Sequence, residues 1–225
     1  MKEVKDLGIR EGRFKAPTFV SVLIAYSTIP VEFLHSFARL QPVPNSANQL
    51  VSYKNCEIGV ARCKAVEEIL GMPERPKYIL WMSGDDLPPW DGLVRLWMEM
   101  ETGKWDVLTS LVHLKNEPPT PVLWKLPDNV PLQVYKDFQP GDVVGGVGYI
   151  GNLGFALMSP SIFEKMKAPY FKTGFMTEIL EDGREALTMY TEDCVFFEQC
   201  AKLDMKVGIH TGVRSAHLGK NGEVY

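Results

Sequence analysis

Strand-length apolar runs alternating with helix-length amphipathic stretches constrain this chain more than any other feature. Residues 19–26 (FVSVLIAY) and 78–82 (YILWM) are near-continuous apolar runs bounded by turn residues, and residues 105–112 form another. A strand that is apolar on successive residues has both faces buried, as in a parallel sheet covered by helices on each side. Between these runs the pattern changes period. Residues 31–40 and 57–70 are predicted helices, with residues 50–53 a further strand between them. In the second helix Ile58, Ala61, Ala65 and Ile69 share one face, and Gly71-Met72-Pro73 ends it. After Pro88-Pro89 another helix is expected, with Trp90, Leu93, Val94 and Trp97 on its apolar side. This order predicts an α/β fold, a mainly parallel sheet flanked by helices. Ligands of such sheets bind at the carboxyl ends of the strands, and Asp85-Asp86 stand at such an end.

The second half reads differently. Residues 113–140 are proline-rich and hold no clear helix, although 122–126 and 131–135 can pair as a hairpin around 127–129. Residues 141–154 are glycine-rich and read as loop, followed by a strand at 153–158 and a short helix at 161–167. A long loop is expected over 169–189, turning at Asp182-Gly183. A helix then starts at Thr191 with Phe196, Cys200 and Leu203 on one face, and a last strand is marked by Val207 and Ile209. The expected organisation is a single domain over 1–225, with halves at 17–112 and 113–219 and tails at 1–16 and 220–225.

With 225 residues, 45% hydrophobic and 23% charged, the chain can build a large core without a disulfide or structural metal. A net charge of −4 argues against a broad electrostatic grip on nucleic acid. The four cysteines, Cys56, Cys63, Cys194 and Cys200, include no Cys-x-x-Cys pair, and Cys56 and Cys63 are expected two turns apart on one helix. They read as free thiols of a reducing compartment. No apolar run approaches the roughly 20 residues of a membrane span, and the N-terminus has no apolar signal core. The expected location is the cytoplasm.

Several residue groups could carry chemistry. Adjacent carboxylates at the end of a buried strand repel one another and lose solvation, and a divalent cation offsets both. Asp85-Asp86 is therefore a cation site or a solvated acidic turn, and the local sequence leaves both open. In Thr191-Glu192-Asp193, a carboxylate could serve as general base, or the segment could be a helix N-terminus with acidic residues on the dipole. His217 could join carboxylates around a metal, a donor set favouring Mn²⁺ over Mg²⁺. Arg62 falls on the inward side of its helix, able to reach a diphosphate or base, or to snorkel at the edge of the stripe. Gly146-Val-Gly-Tyr-Ile-Gly151 fits G-x-G-x-x-G literally, but no strand is expected before it and a strand follows, so it reads as a loop.

Together these landmarks resemble the GT-A glycosyltransferases, in particular the compact family-2-like members, from about residue 19 to residue 219. The segment Ala25-Tyr26-Ser27 is similar to the family's base-binding strand end, and Ala61-Arg62 to its donor-side segment. Residues 78–89 resemble the strand carrying the family's acidic metal motif, Thr191-Glu192-Asp193 its Glu-Asp motif, and His217 its C-terminal histidine. The resemblance implies a GT-A fold with a small acceptor-side hairpin and loop region. It also implies a hexosyltransferase-type enzyme that uses a nucleotide-diphosphate sugar and Mn²⁺ or Mg²⁺, with a glycan, lipid or protein acceptor. Asp86 would be the direct metal ligand, assisted by Asp85 and His217. Asp193 would be the base of an inverting transfer, with Glu192 beside it. Gly84 departs from the usual Asp-x-Asp pattern and removes a carboxylate that often touches the ribose. Two alternatives follow: a GT-A-like binding protein without catalysis, and a sugar-phosphate nucleotidyltransferase. The second would need a glycine-rich basic loop where residues 25–30 offer neither glycine nor a basic residue.

Overall fold

The computed structural model describes residues 18–25, 28–116, 118–126, 133–134, 137–179, 183–219 and 222–225. The elements in chain order are β1 (Phe19–Ala25), α1 (Val31–Ala38), β2 (Asn48–Lys54), α2 (Ile58–Leu70), β3 (Tyr78–Ser83), β4 (Asp86–Leu87), α3 (Gly92–Met100) and β5 (Val107–Leu111). There follow β6 (Trp124–Lys125), β7 (Gln133–Val134), β8 (Val143–Gly146), β9 (Tyr149–Ile150), β10 (Phe155–Met158) and α4 (Ile162–Lys165). The chain ends with β11 (Gly174–Ile179), β12 (Glu185–Tyr190), α5 (Glu192–Lys202), β13 (Val207–Arg214) and β14 (Ala216–His217).

The main sheet has seven strands in the order β2-β1-β3-β10-β5-β13-β8. The pairs β1/β2, β1/β3 and β5/β13 are parallel, while β10 is antiparallel to both its neighbours and β8 to β13. The apolar runs explain its centre: every residue of β10 is buried, as are the first five of β3. One face packs on α2 and α5 through Ala61, Ala65, Ile69, Trp81, Phe196 and Phe197. The other packs on α1 and α3 through Phe33, Leu80, Leu93, Leu96 and Phe155. The chain runs from β1 out to β2 and back to β3 on the other side of β1. The ends of β1 and β3 thus flank a switch in strand order, where open α/β sheets form ligand crevices.

Several expectations are corrected. The glycine-rich segment 141–154 is not a loop: β8 closes one edge of the main sheet and β9 pairs with β6. A strand therefore does precede the G-x-G-x-x-G run, and glycines of the segment serve packing: a side chain at Gly145, in β8, would strike Val207 O at 2.1 Å, and one at Gly151, the last glycine of the run, would strike Thr109 Oγ1 at 2.3 Å. The expected long loop 169–189 contains a hairpin, β11 against β12, and the turn residue Asp182 lies outside the described residues. On α3 the buried stripe is Leu93, Leu96 and Met100, whereas Trp90 precedes the helix and is 57% exposed. Leu203 lies past the end of α5 and is exposed. Cys56 precedes α2 rather than lying on it, and all four cysteines are free. The expected hairpin does form, as Trp124↔Val134 and Lys125↔Gln133. Among the described residues no helix is long and apolar enough to cross a membrane.

Candidate active site

Backbone pairing assembles the site before any side chain is considered. Gly84 N donates to Ile24 O (3.0 Å) and Ser83 N to Gly154 O (2.8 Å), which ties the end of β3 to β1 and β10. The short strands β4 and β14 then pair so that His217 stands opposite Asp86, and Leu218 N donates to Asp85 O at 2.8 Å. The N-termini of α2 and α5 close the other side. Gly59 keeps them close: a side chain there would lie 3.2 Å from Glu57 Oε2 and 3.3 Å from Glu192 Cβ. A cleft of about 410 Å³ results, lined by Arg62, Asp85, Asp86, Asn152, Asp193 and His217 among others. A second of about 400 Å³ shares Ile58, Ser83 and Asp85 with it and continues past Ala25, Gly84 and Lys115. Both volumes suit a small-molecule site.

Asp86 is the least ordinary group in it. It is 2% exposed, and its side chain lies over Gly154, where any Cβ would sit 1.3 Å from Asp86 Oδ2. Asn152 Nδ2 donates to Asp86 Oδ2 at 3.1 Å, while Asn152 Oδ1 accepts from Gly154 N at 3.0 Å. Asp86 Oδ1 is buried with no hydrogen-bond partner. Burial first, and the neighbouring charge of Asp85 second, push this carboxyl up to about 6. Asp85 goes the other way. Burial would raise it, but hydrogen bonds from His217 and Lys115 outweigh that and hold it at about 2. Its Oδ2 lies 2.9 Å from Lys115 Nζ and 3.3 Å from His217 Nε2.

His217 has a defined orientation. His113 O can only accept, so His217 Nδ1, 3.1 Å away, carries a proton and Nε2 faces the carboxylates. Burial pulls His217 down, but the Asp85 hydrogen bond and the Asp86 charge prevail and its pKa is raised. Deprotonated at Nε2, the same imidazole becomes a metal-ligating tautomer fixed by its second hydrogen bond.

Arg62 is a buried strut and not a free cation at the cleft wall. It is 2% exposed, donates from Nε to Glu192 Oε1 at 3.2 Å and from Nη1 to Leu153 O at 3.3 Å, and lies 5.2 Å from the Trp81 ring centroid. Burial raises the Glu192 carboxyl against the pull of Arg62. Asp193, the next residue, lines the cleft and is half-buried. Its Oδ1 accepts from Cys194 N at 3.0 Å and from the Thr191 hydroxyl, which bonds this carboxylate and not the helix backbone. Ala25 lines the second cleft, whereas Tyr26 and Ser27 lie outside the described residues. Three residues here were not singled out from sequence. Asn152 and Gly154 sit in the glycine-rich segment. Lys115 sits in the proline-rich one, with no local pattern pointing at Asp85.

The donor set fits a hard divalent cation. It offers two carboxylates and an imidazole, and the orphaned buried Asp86 Oδ1 is a site where positive charge relieves an unmet cost. Among the described residues no group of three or more His, Cys, Asp or Glu is placed to hold a metal ion. Such an ion would therefore complete its shell with ligand phosphates, as Mg²⁺ and Mn²⁺ commonly do.

No protein-family model and no curated protein sequence matches the chain. Similarity appears in three dimensions. A197 from STIV aligns at TM-score 0.56 and 16% identity over 92% of each chain. GalNAc-T7, solved with UDP, GalNAc and Mn²⁺, aligns at TM-score 0.56 and 8% identity over 90% of this chain, but over only 44% of its own length. TarS of S. aureus, residues 1–349, aligns at TM-score 0.50 and 13% identity, covering 88% of this chain and 59% of that one. The architecture, a seven-stranded, partly parallel sheet flanked by helices, is the GT-A fold it shares with these structures.

Proposed function

We propose that this chain is a metal-dependent glycosyltransferase that moves a sugar from a nucleotide-diphosphate donor to an acceptor hydroxyl. One observation carries the reading. A fully buried carboxylate with an orphaned oxygen, Asp86, stands at the carboxyl end of β3 beside Asp85 and His217, in a cleft that also takes in Asp193. Burying such a group has no structural benefit, so its cost fits a site kept for binding a cation. Mn²⁺ or Mg²⁺ bound at Asp86, with Asp85 and His217 as the neighbouring donors to be drawn in, would neutralise charge on the departing nucleoside diphosphate. The second cleft, about 400 Å³ along Ile24, Ala25 and Gly84 at the strand ends, would take the nucleoside.

Asp193 is the group best suited to take the acceptor's proton. It lines the same cleft without being enclosed, and the Thr191 hydroxyl and Cys194 N–H fix its Oδ1. Glu192 is committed to Arg62 and anchors the start of α5, thereby aiming Asp193. Attack by the acceptor oxygen on the anomeric carbon, opposite the leaving diphosphate, inverts the configuration. The likeness of the fold to GalNAc-T7, solved with UDP and Mn²⁺, supports the donor class. The acceptor, whether glycan, lipid or protein, is the group that the hairpin β11–β12 and residues 113–126 would shape.

The test is release of free nucleoside diphosphate from a panel of nucleotide sugars, with Mn²⁺ or with chelator, by wild type, Asp86→Ala and Asp193→Asn. Metal-dependent release from one donor, lost in both variants, is the expected result. Release that neither variant alters would overturn the site assignment. Donor binding without release would favour a binding protein of the same fold.

A further inference from the structure

The clefts carry an imbalance that the reading above leaves unmet. Their lining includes five carboxyls, Glu57, Asp85, Asp86, Glu192 and Asp193, against two permanent cations, Arg62 and Lys115. A diphosphate entering there adds further negative charge. Arg62 cannot answer it, being 2% exposed, bonded to Glu192 and Leu153 O, and covered by Trp81 and Phe171. Lys115 can. Its side chain is 31% exposed, lines the second cleft together with Ala25 and Gly84, and spends its charge on Asp85 Oδ2 at 2.9 Å. That oxygen also faces His217 Nε2 and is one a bound divalent cation would claim.

Resting on the donor reading, we infer that Lys115 is a placeholder cation: it holds Asp85 until a divalent cation takes that carboxylate, and is then handed over to the donor's diphosphate. The structural basis is economical. A lysine is a point charge on a flexible four-carbon stem, able to exchange one oxyanion for another a few ångströms away without backbone motion. Before the handover it offsets the repulsion between Asp85 and Asp86. After it, the same charge falls on a phosphate as a charge-assisted hydrogen bond.

The experiment is calorimetric titration of wild type, Lys115→Ala and Lys115→Arg with Mn²⁺ alone, and with UDP, GDP, CDP and ADP in saturating Mn²⁺. Lys115→Ala is expected to bind Mn²⁺ alone about three- to fivefold more tightly, since a competing cation is gone. It should bind the preferred nucleoside diphosphate about tenfold more weakly. Lys115→Arg should keep diphosphate affinity within about threefold of wild type, because a guanidinium also serves phosphate. These opposite signs separate the inference from a merely structural role, which would weaken both ligands together. Weakening of both, or an unchanged diphosphate affinity, overturns it, as does unchanged Mn²⁺ affinity. Wild type binding none of the nucleoside diphosphates overturns the donor reading and this inference together. Equal binding of one of them by wild type and Lys115→Ala overturns the inference alone.

Discussion

Replacing Asp86 by asparagine should make the protein more stable while abolishing its cation site. The folded carboxyl sits at about 6 against an ordinary value of 3.8, a displacement worth on the order of 3 kcal/mol. The sign follows from proton binding. Between pH ~4 and ~6 the folded chain holds a proton on Asp86 that the unfolded chain has lost. Stability from this group is therefore complete below about pH 4 and is lost as the pH rises through about 6. At about pH 7.5 the folded state bears the whole cost of a buried, half-satisfied charge. The amide removes that charge and can still accept from Asn152, but it turns one buried donor toward the unpartnered Oδ1 position, at about 1 kcal/mol. The net gain is roughly 2 kcal/mol, a rise in Tm of about 4–8 °C for a chain this size. Thermal melts from about pH 4 to 8 would read it. The variant should lack the wild type's loss of stability between pH ~4 and ~6. Asp85, held low, acts below that window and His217, held high, acts above it. Millimolar Mn²⁺ should raise the Tm of wild type and not of the variant. A variant at or below wild-type Tm near pH 7.5, with the same slope below pH 6, would refute the reasoning.

Other perturbations give equally direct outcomes. Asp193→Asn should lower kcat at least about a hundredfold with donor affinity unchanged, as expected of a lost general base, read by steady-state kinetics and calorimetry. Arg62→Met leaves Glu192 buried and unpaired and should cost about 3–5 kcal/mol in urea unfolding, most of it recovered in the double variant Arg62→Met/Glu192→Leu. Gly154→Ala should displace Asp86, lowering Tm by several degrees and weakening Mn²⁺ binding, because its Cβ would overlap Asp86 Oδ2. Gly84→Ala should change neither, since a Cβ there meets nothing closer than Ile24 O at 3.6 Å.

The parts of the fold legible in sequence are those fixed by local pattern. The runs that became β1 and β3 are apolar on both faces because helices cover both. Asp85-Asp86 could be placed at a strand end from the YILWM run alone. The antiparallel insertion of β10 between β3 and β5 had no local signature, because a buried strand reads the same in either direction. The strands β8 and β9 were hidden by the glycines in and around them, which resemble a loop, although Gly145 and Gly151 are present because Val207 O and Thr109 leave no room for a side chain. The hairpin β11–β12 carried a turn signal at Asp182-Gly183, but neither flanking stretch announced itself as a strand. In the site, the helical stripe placed Arg62 inward correctly, yet its partner lies 130 residues further on. Lys115 meets Asp85 only through the packing of β5 beside β10, across 30 residues. Ion pairs of that kind belong to tertiary structure and leave no spacing to read.

The central claim is that this cleft binds a nucleotide-diphosphate sugar through a divalent cation. Calorimetric titration of a donor panel into wild type and Asp86→Asn, in Mn²⁺ and in chelator, tests it most directly. The account predicts that donors sharing one nucleotide base bind wild type in Mn²⁺, and that chelator or Asp86→Asn weakens them at least about tenfold. Binding of no donor in either condition, or binding indifferent to both metal and Asp86, would contradict it.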